Sequence, residues 1–353
     1  MSQLELIHVV RRYGPVGGME RYVWELTREL AQLGHHVTVV CERCHVEKPA
    51  GINVHELGEI APRPRWLALL RFGRRVERFL LAHPHDGSLI HSHERLRIHH
   101  ITTFHGPPFA TVFERPWWRW LSLRVAMQLF LERRELSTPR HVVPNSRFIS
   151  QSLAHYYPKL VHKLTYPIVP GVVPGALREP HQVPPNGGTV GFVGKEWQRK
   201  GLPWAVEVVA ALRRTRPDVQ LHVVGPAAAE VAHLFSDWQG GYKLLGWSDQ
   251  APYAAFDVLL HPANAEPYGM VISEAMAAKV PVLISDVCGA AAQVSAASGA
   301  VLSLSVPLDA WIQALDQQLS RVDSVSQFER SWRKVAQEYV EIYAGTFTEP
   351  SRC

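Results

Sequence analysis

Short all-apolar runs alternate along the chain with longer stretches in which apolar residues recur every three or four positions. Leu6-Ile7-His8-Val9-Val10 is the first run and predicts a strand. A glycine-bearing turn, Gly14 to Gly18, leads into Met19, Tyr22, Val23, Leu26, Leu30 and Leu33, which fall at helical spacing until Gly34 stops them. Further strands are predicted at 37–40, 52–54, 89–91, 101–104 and 141–144, and Ser146 is placed to cap a helix after the last. From 167 to 188 the chain is rich in proline and glycine and loses its periodicity, as a linker does. The alternation then restarts, with strands at 189–193, 219–224, 257–260 and 281–284 and a helix over 204–214. This order predicts an α/β chain of two doubly wound, Rossmann-like domains. In such domains a ligand sits beyond the carboxyl ends of the strands, here in the cleft expected between the two.

Length narrows the organisation. At 353 residues two domains are expected: 1–170, a linker over 171–188, and 189–325. A final helix within 326–353 is expected to return toward the first domain. Charge points to partners. Lys and Arg exceed Asp and Glu by 5, so a polyanionic partner is expected, and no nucleic-acid motif accompanies the excess. Apolar runs fall short of a membrane span, and no basic segment precedes an apolar one at the start, so a cytoplasmic address is expected. Four cysteines cannot form a disulfide scaffold in a chain this long. Cys41 and Cys44 form a C-x-x-C with no second pair of ligands, so no metal is expected there.

Three segments carry candidate chemistry. The turn at Gly17 and Gly18 exposes backbone amides at a helix start, where phosphate binds well, or it is an ordinary βα turn. Gly194 to Gly201 follows a strand and carries Arg199 and Lys200, cations able to neutralise a diphosphate. Glu266 and Glu274 stand in an E-x7-E spacing around Pro267 and Gly269. Glu274 is expected about two turns into a helix, so that the two carboxylates could hold the two ends of a nucleotide sugar. His91, His93, His99 and His100 read as cleft or surface residues. Two stretches suggest an anionic membrane surface: the arginine-rich amphipathic segment from Arg63 to Leu81, and Trp117, Trp118 and Trp120. The alternative for the first is a helix packed on its own domain with an arginine-rich outer face.

Gly17-Gly18-Met19-Glu20, Phe104-His105-Gly106, Pro144-Asn145-Ser146, Phe192-Val193-Gly194 with Arg199-Lys200-Gly201, and the block from Glu266 to Glu274 occur in one order. In that order the chain resembles the retaining GT-B glycosyltransferases of family 4. Residues 259–263 and 281–289 look closest to the lipopolysaccharide-core glucosyltransferases that act on inner-core heptose. The resemblance implies a hexosyltransferase that needs no cofactor or metal and takes a UDP-sugar, with UDP-glucose expected. It implies a lipopolysaccharide-core or other lipid-linked glycan acceptor and a peripheral place on the inner face of the cytoplasmic membrane. An epimerase or hydrolase on the same fold, or a capsule or exopolysaccharide transferase, is the alternative. Gly17 and Gly18 would approach the diphosphate, His105 the donor sugar, and Arg199 and Lys200 the leaving group. Glu266 with the amides of Gly269, Met270 and Val271 would hold the sugar, and Glu274 the ribose. Lys195 and Lys279 depart from the family, which often has Arg and Gly there.

Overall fold

A computed structural model of the protein describes residues 3–83, 87–173 and 175–348. It forms two compact units, one up to Gly171 together with the chain from Arg330 onward, the other Val172–Glu329.

The first unit is built on β1 (Glu5–Val9), β3 (His36–Cys41), β5 (Ile52–Glu56), β6 (Leu89–Ser92), β7 (Ile101–Phe104) and β8 (His141–Pro144). They form one parallel sheet in the order β5-β3-β1-β6-β7-β8. The short β2 (Arg12–Tyr13) and β4 (Arg43–Cys44) pair separately. Its helices are α1 (Gly18–Gln32), α2 (Arg65–Ala82), α3 (Leu123–Ser137) and α4 (Arg147–Tyr156), and the Ser146 hydroxyl caps α4 by accepting from the Ile149 amide. The second unit uses β9 (Gly187–Val193), β10 (Asp218–Val224), β11 (Tyr242–Gly246), β12 (Val258–His261), β13 (Val282–Ser285) and β14 (Gly299–Leu302). Its order, β11-β10-β9-β12-β13-β14, repeats the first. Around it lie α5 (Leu202–Leu212), α6 (Ala228–Val231), α7 (Met270–Ala277) and α8 (Leu308–Leu319). Both sheets therefore change direction beside their first strand, between β1 and β6 and between β9 and β12, and each switch opens a crevice at the strands' carboxyl ends.

The inner strands β6, β7, β12 and β13 are buried on both faces, as parallel strands covered by helices must be, which is why they read as unbroken apolar runs. In the second unit Val190, Phe192, Leu221, Val258 and Leu260 meet Val206, Val209 and Trp311 from the helices. In the first, α2 buries Ala68, Phe72, Val76 and Leu80 against Ile7, Val9, Val40 and Ile90. The chain returns to the first unit through α9 (Trp332–Thr348), where the hydroxyls of Tyr339 and Tyr22 on α1 lie 2.9 Å apart.

The α2 packing corrects the membrane reading of the segment from Arg63 to Leu81. Each large apolar side chain it buries contributes about 1.5–3 kcal/mol, whereas an arginine beside an anionic surface gains only about 1 kcal/mol. The core keeps the apolar face, and the exposed arginines 71, 74 and 78 form the outer one. Arg75 donates to the Leu57 and Gly58 carbonyls.

Candidate active site

In the second unit the sequence folds so that two loops meet at the switch point. β9 delivers residues 194–201 and β12 delivers 262–269. Gly194 lets Lys200 cross the backbone: a Cβ there would stand 2.1 Å from Lys200 Cδ. Gly201 has a left-handed φ of 80°, and a Cβ on it would lie 1.9 Å from the Pro262 carbonyl oxygen, so here the loops touch backbone to backbone. The Asn264 amide donates to the Arg199 carbonyl at 2.9 Å, and the Arg199 guanidinium donates back to the Ala265 carbonyl.

These contacts gather charge around one carboxylate. Glu266 Oε2 lies 3.1 Å from Lys200 Nζ, 3.5 Å from the Arg199 guanidinium and 3.4 Å from His261 Nε2. Burial pushes the Glu266 carboxyl up, but Lys200, His261 and Arg199 outweigh it and hold the group far below the usual carboxylate range. Burial conversely lowers His261, with Glu266 opposing. Lys200 has three donors, so pairing with Glu266 leaves it able to meet an anion, whereas the Arg199 Nε is also engaged by the Glu196 carboxylate and only its remaining N–H groups are available.

Gly269, at φ 96°, caps α7, and its amide with those of Met270 and Val271 heads the helix, where donors and the positive dipole end favour negative charge. Glu274 is the fifth residue of that eight-residue helix, about one and a half turns in rather than two, some 7.5 Å along the axis from Gly269. It stands outside the Glu266 cluster and accepts from the Tyr253 hydroxyl at 2.6 Å. The structure thus brings Arg199, Lys200 and Glu266 together and sets Glu274 apart on the same helix as Met270 and Val271.

In the first unit, Gly17 precedes α1 in an extended conformation. A Cβ on it would strike the Glu20 carboxylate at 2.4 Å, whereas Gly18 faces open space. Glu20 would oppose an anion at this helix start, but Arg12 Nε donates to it at 2.8 Å. His105 follows β7, its carbonyl held by Asn145 Nδ2 at 3.3 Å. The loop beyond it is fixed by Glu132, a fully buried carboxylate that accepts from the Phe109 and Ala110 amides at 2.6 and 3.1 Å. His105 Nε2 lies 3.0 Å from His93 Nδ1.

Sequence reasoning missed Glu132, His261, Tyr253 and His8. Their signal is a polar residue inside an apolar run or helix face, which alone does not separate a ligand contact from an internal tie. The histidine cluster needs correcting. His91, His93 and His99 are not surface residues but lie in the interior, 0%, 4% and 4% exposed. Burial alone keeps His8 neutral, its proton affinity falling to about 3. Among the described residues, the group of three close enough to share a metal ion is His8, His91 and His93; Cys41 and Cys44 are free thiols.

With this geometry in place, residues 16–174 match the domain described as Glycosyltransferase Family 4. Residues 187–321 match Glycosyl transferases group 1. The chain belongs to the GT-B glycosyltransferases of family 4. This glycosyltransferase is 30% identical over 163 residues to the lipopolysaccharide glucosyltransferase WaaG of Escherichia coli strain K12, a match covering 42% of this chain and 41% of that protein. The chain spans under half the length of the first curated relatives it matches, 41% and 45%. It is 27% identical over 317 residues to the GDP-mannose-dependent alpha-mannosyltransferase of Mycolicibacterium smegmatis, covering 78% of this chain and 77% of that one. The GT-B fold itself is shared with the crystal structure of WaaG at a TM-score of 0.78 and 20% identity, over 95% of each chain. Among the described residues no helix of this glycosyltransferase is long and apolar enough to cross a membrane.

Proposed function

We propose that the protein transfers a hexose, with glucose from UDP-glucose as the first donor to test, to a lipopolysaccharide-core or other lipid-linked glycan, retaining the anomeric configuration. The observation that carries this reading is the Glu266 cluster at the head of α7. It sets Lys200, Arg199 and helix amides in one place, the equipment for a diphosphate, with a carboxylate beside them to accept from sugar hydroxyls. Glu274 takes the ribose.

The bond between the anomeric carbon and the diphosphate oxygen breaks while the acceptor oxygen bonds on the same face. The acceptor's proton passes to the departing diphosphate oxygen. Lys200 and Arg199 stabilise the charge that develops there. Glu266 is a poor candidate for a covalent nucleophile, because two cations and an imidazole already engage its carboxylate. The sequence contains no Asp-x-Asp, so the reaction is expected to need neither a metal nor a cofactor. Turnover should therefore survive excess EDTA. A requirement for Mg²⁺ or Mn²⁺ would remove the role given to Lys200 and Arg199.

The acceptor reading places the protein on the inner face of the membrane. Its support is an exposed apolar patch on the first unit, with Trp117 and Trp118 each 62% exposed, Leu121 74% and Leu123 68%. Arg115 and Arg124 stand exposed beside it. Similarity to a GDP-mannose-dependent enzyme favours a second donor. A panel of UDP-glucose, UDP-galactose and GDP-mannose, assayed for slow hydrolysis and for transfer, decides between them. An epimerised donor formed without acceptor would overturn transfer altogether.

A further inference from the structure

Three imidazoles stand in a row from the sheet interior to the candidate site. His8 lies in β1, His93 just past β6 and His105 just past β7, and the parallel register of these strands brings them side by side. His8 Nδ1 is 3.2 Å from His93 Nε2, and His93 Nδ1 is 3.0 Å from His105 Nε2. The inner end stops at His8 Nε2, which is buried and has no hydrogen-bond partner. The outer end is His105 Nδ1, on a half-buried ring, with no partner among the described residues.

Burial keeps His8 and His93 neutral. A neutral imidazole has one N–H and one lone pair, so each ring in the row donates on one side and accepts on the other. The row can therefore run in only two senses. In one, every ring carries its proton on Nε2, and His8 buries an N–H with no acceptor. In the other, every ring carries it on Nδ1, and His8 buries only an unused lone pair. Orphaned buried N–H groups are the rarer of the two.

We infer that His8 and His93 are positioning residues that lock His105 as the Nδ1–H tautomer, so that it meets its ligand as a hydrogen-bond donor and never as an acceptor. This rests on the reading of His105 as a contact to the donor sugar. A donor of fixed sense selects an oxygen with a free lone pair at that position, such as a ring hydroxyl. A metal ion shared by His8, His91 and His93 is the competing use of these rings. It is disfavoured because His91 already bonds Tyr343 and Thr103 through its two nitrogens, at 2.7 and 2.8 Å, and His93 has a partner on each of its own.

The test begins with the parent protein and does not need its activity. With ¹⁵N-labelled histidine, the ring resonances of His8, His93 and His105 should all report Nδ1–H. A proton on Nε2 of His105, or mixed tautomers along the row, overturns the assignment. So does a d–d spectrum of histidine-bound metal on titrating the protein with Co²⁺. Two variants then test the consequence. Asn places an amide near the position of Nδ1, so His8→Asn should keep the His105 signature and turnover. His93→Leu removes the partner of His105 Nε2 and should free the His105 tautomer and lower kcat/KM for the donor about tenfold, the scale of one hydrogen bond, with the acceptor KM unchanged. If His93→Leu leaves the His105 resonances as in the parent, the row does not set its tautomer. If the tautomers are as stated but no donor is turned over, the functional reading fails and the row stands.

Discussion

The two units share one topology and equip its switch point in opposite ways. In the second unit the carboxyl ends of β9 and β12 hold a knot of ions, Glu266 with Lys200 and Arg199. In the first, the ends of β1, β6 and β7 hold neutral rings, His8, His93 and His105, beside a helix start whose one acidic residue is cancelled by Arg12. The fold supplies a crevice and says nothing about its charge. Side chains at the strand ends decide whether that crevice offers cations or neutral donors.

Acid should separate the units most strongly. A buried histidine with a lowered proton affinity stabilises the fold fully above the unfolded value of about 6.5 and loses that contribution as pH falls below it. His8, His91 and His93 are all lowered by burial. Together these three should remove up to about 4 kcal/mol per pH unit below 6.5, partly offset by Glu94 and Glu135, which burial raises to about 7 and about 8 so that the fold takes up their protons first. Glu266, depressed, contributes stability that is present above the unfolded value of about 4.3 and is lost only as pH falls from there toward its lower folded value. In the second unit burial also lowers His261, but Glu266 opposes it, so hydrogen exchange between pH 7 and 5 should loosen β1 and β6 more than β9 and β12. Equal loosening in both units would break the contrast.

Next in size is the cation itself. Lys200→Ala should lower kcat by ~10²–10³, the scale of removing one preorganised electrostatic donor, with the fold intact by circular dichroism. Unchanged turnover would show that the ion knot is a structural brace. At the first unit's surface, vesicle co-sedimentation should be salt-sensitive with anionic lipid, because attraction to the surface fades over a Debye length of about 8–10 Å. Replacing Trp117 and Trp118 together by Ala should remove the part that survives high salt, while Lys200→Ala leaves binding alone. A parent that ignores anionic vesicles at low salt ends the membrane reading. The smallest effect is at Lys279, a left-handed residue with φ 60° at the end of α7. Lys279→Gly should stabilise the protein by about 0.5–1 kcal/mol in denaturant unfolding, because only glycine occupies that conformation freely.

The inner strands were legible because both their faces are buried, which leaves unbroken apolar runs. α3 was not, because its buried face is half polar. It buries Gln128, Glu132 and Glu135 and exposes Leu123 and Phe130. Arg95 makes that possible, bonding Gln128 and lying 3.0 and 3.7 Å from the carboxylates of Glu132 and Glu135, but it lies far away in sequence. β11 is an edge strand with alternating exposure, and the run YKLLG is too short to declare its period. For the candidate site, spacing placed Glu266 and Glu274 near one helix, and position just after a strand marked Arg199 and Lys200. The ties through His261 and Tyr253 depend on which strands become neighbours, so no local pattern contains them. The arginine-rich face of α2 misled because amphipathicity marks an apolar face without saying whether core or lipid receives it.

The return of α9 to the first unit sets an order of assembly during synthesis. The second unit is a continuous stretch and can close as soon as Glu329 has cleared the ribosome. The first cannot, since Tyr339 and Tyr343, which bond Thr103 and His91, are made only after the second unit. At about 5–20 residues per second the earlier strands wait on the order of ten seconds or more for those partners. Through that interval His91 and Thr103 are open to water or to a chaperone. A ribosome that stalls in the second unit would release a first sheet whose central polar groups, His91 and Thr103, keep each other but lack Tyr343 and Tyr339.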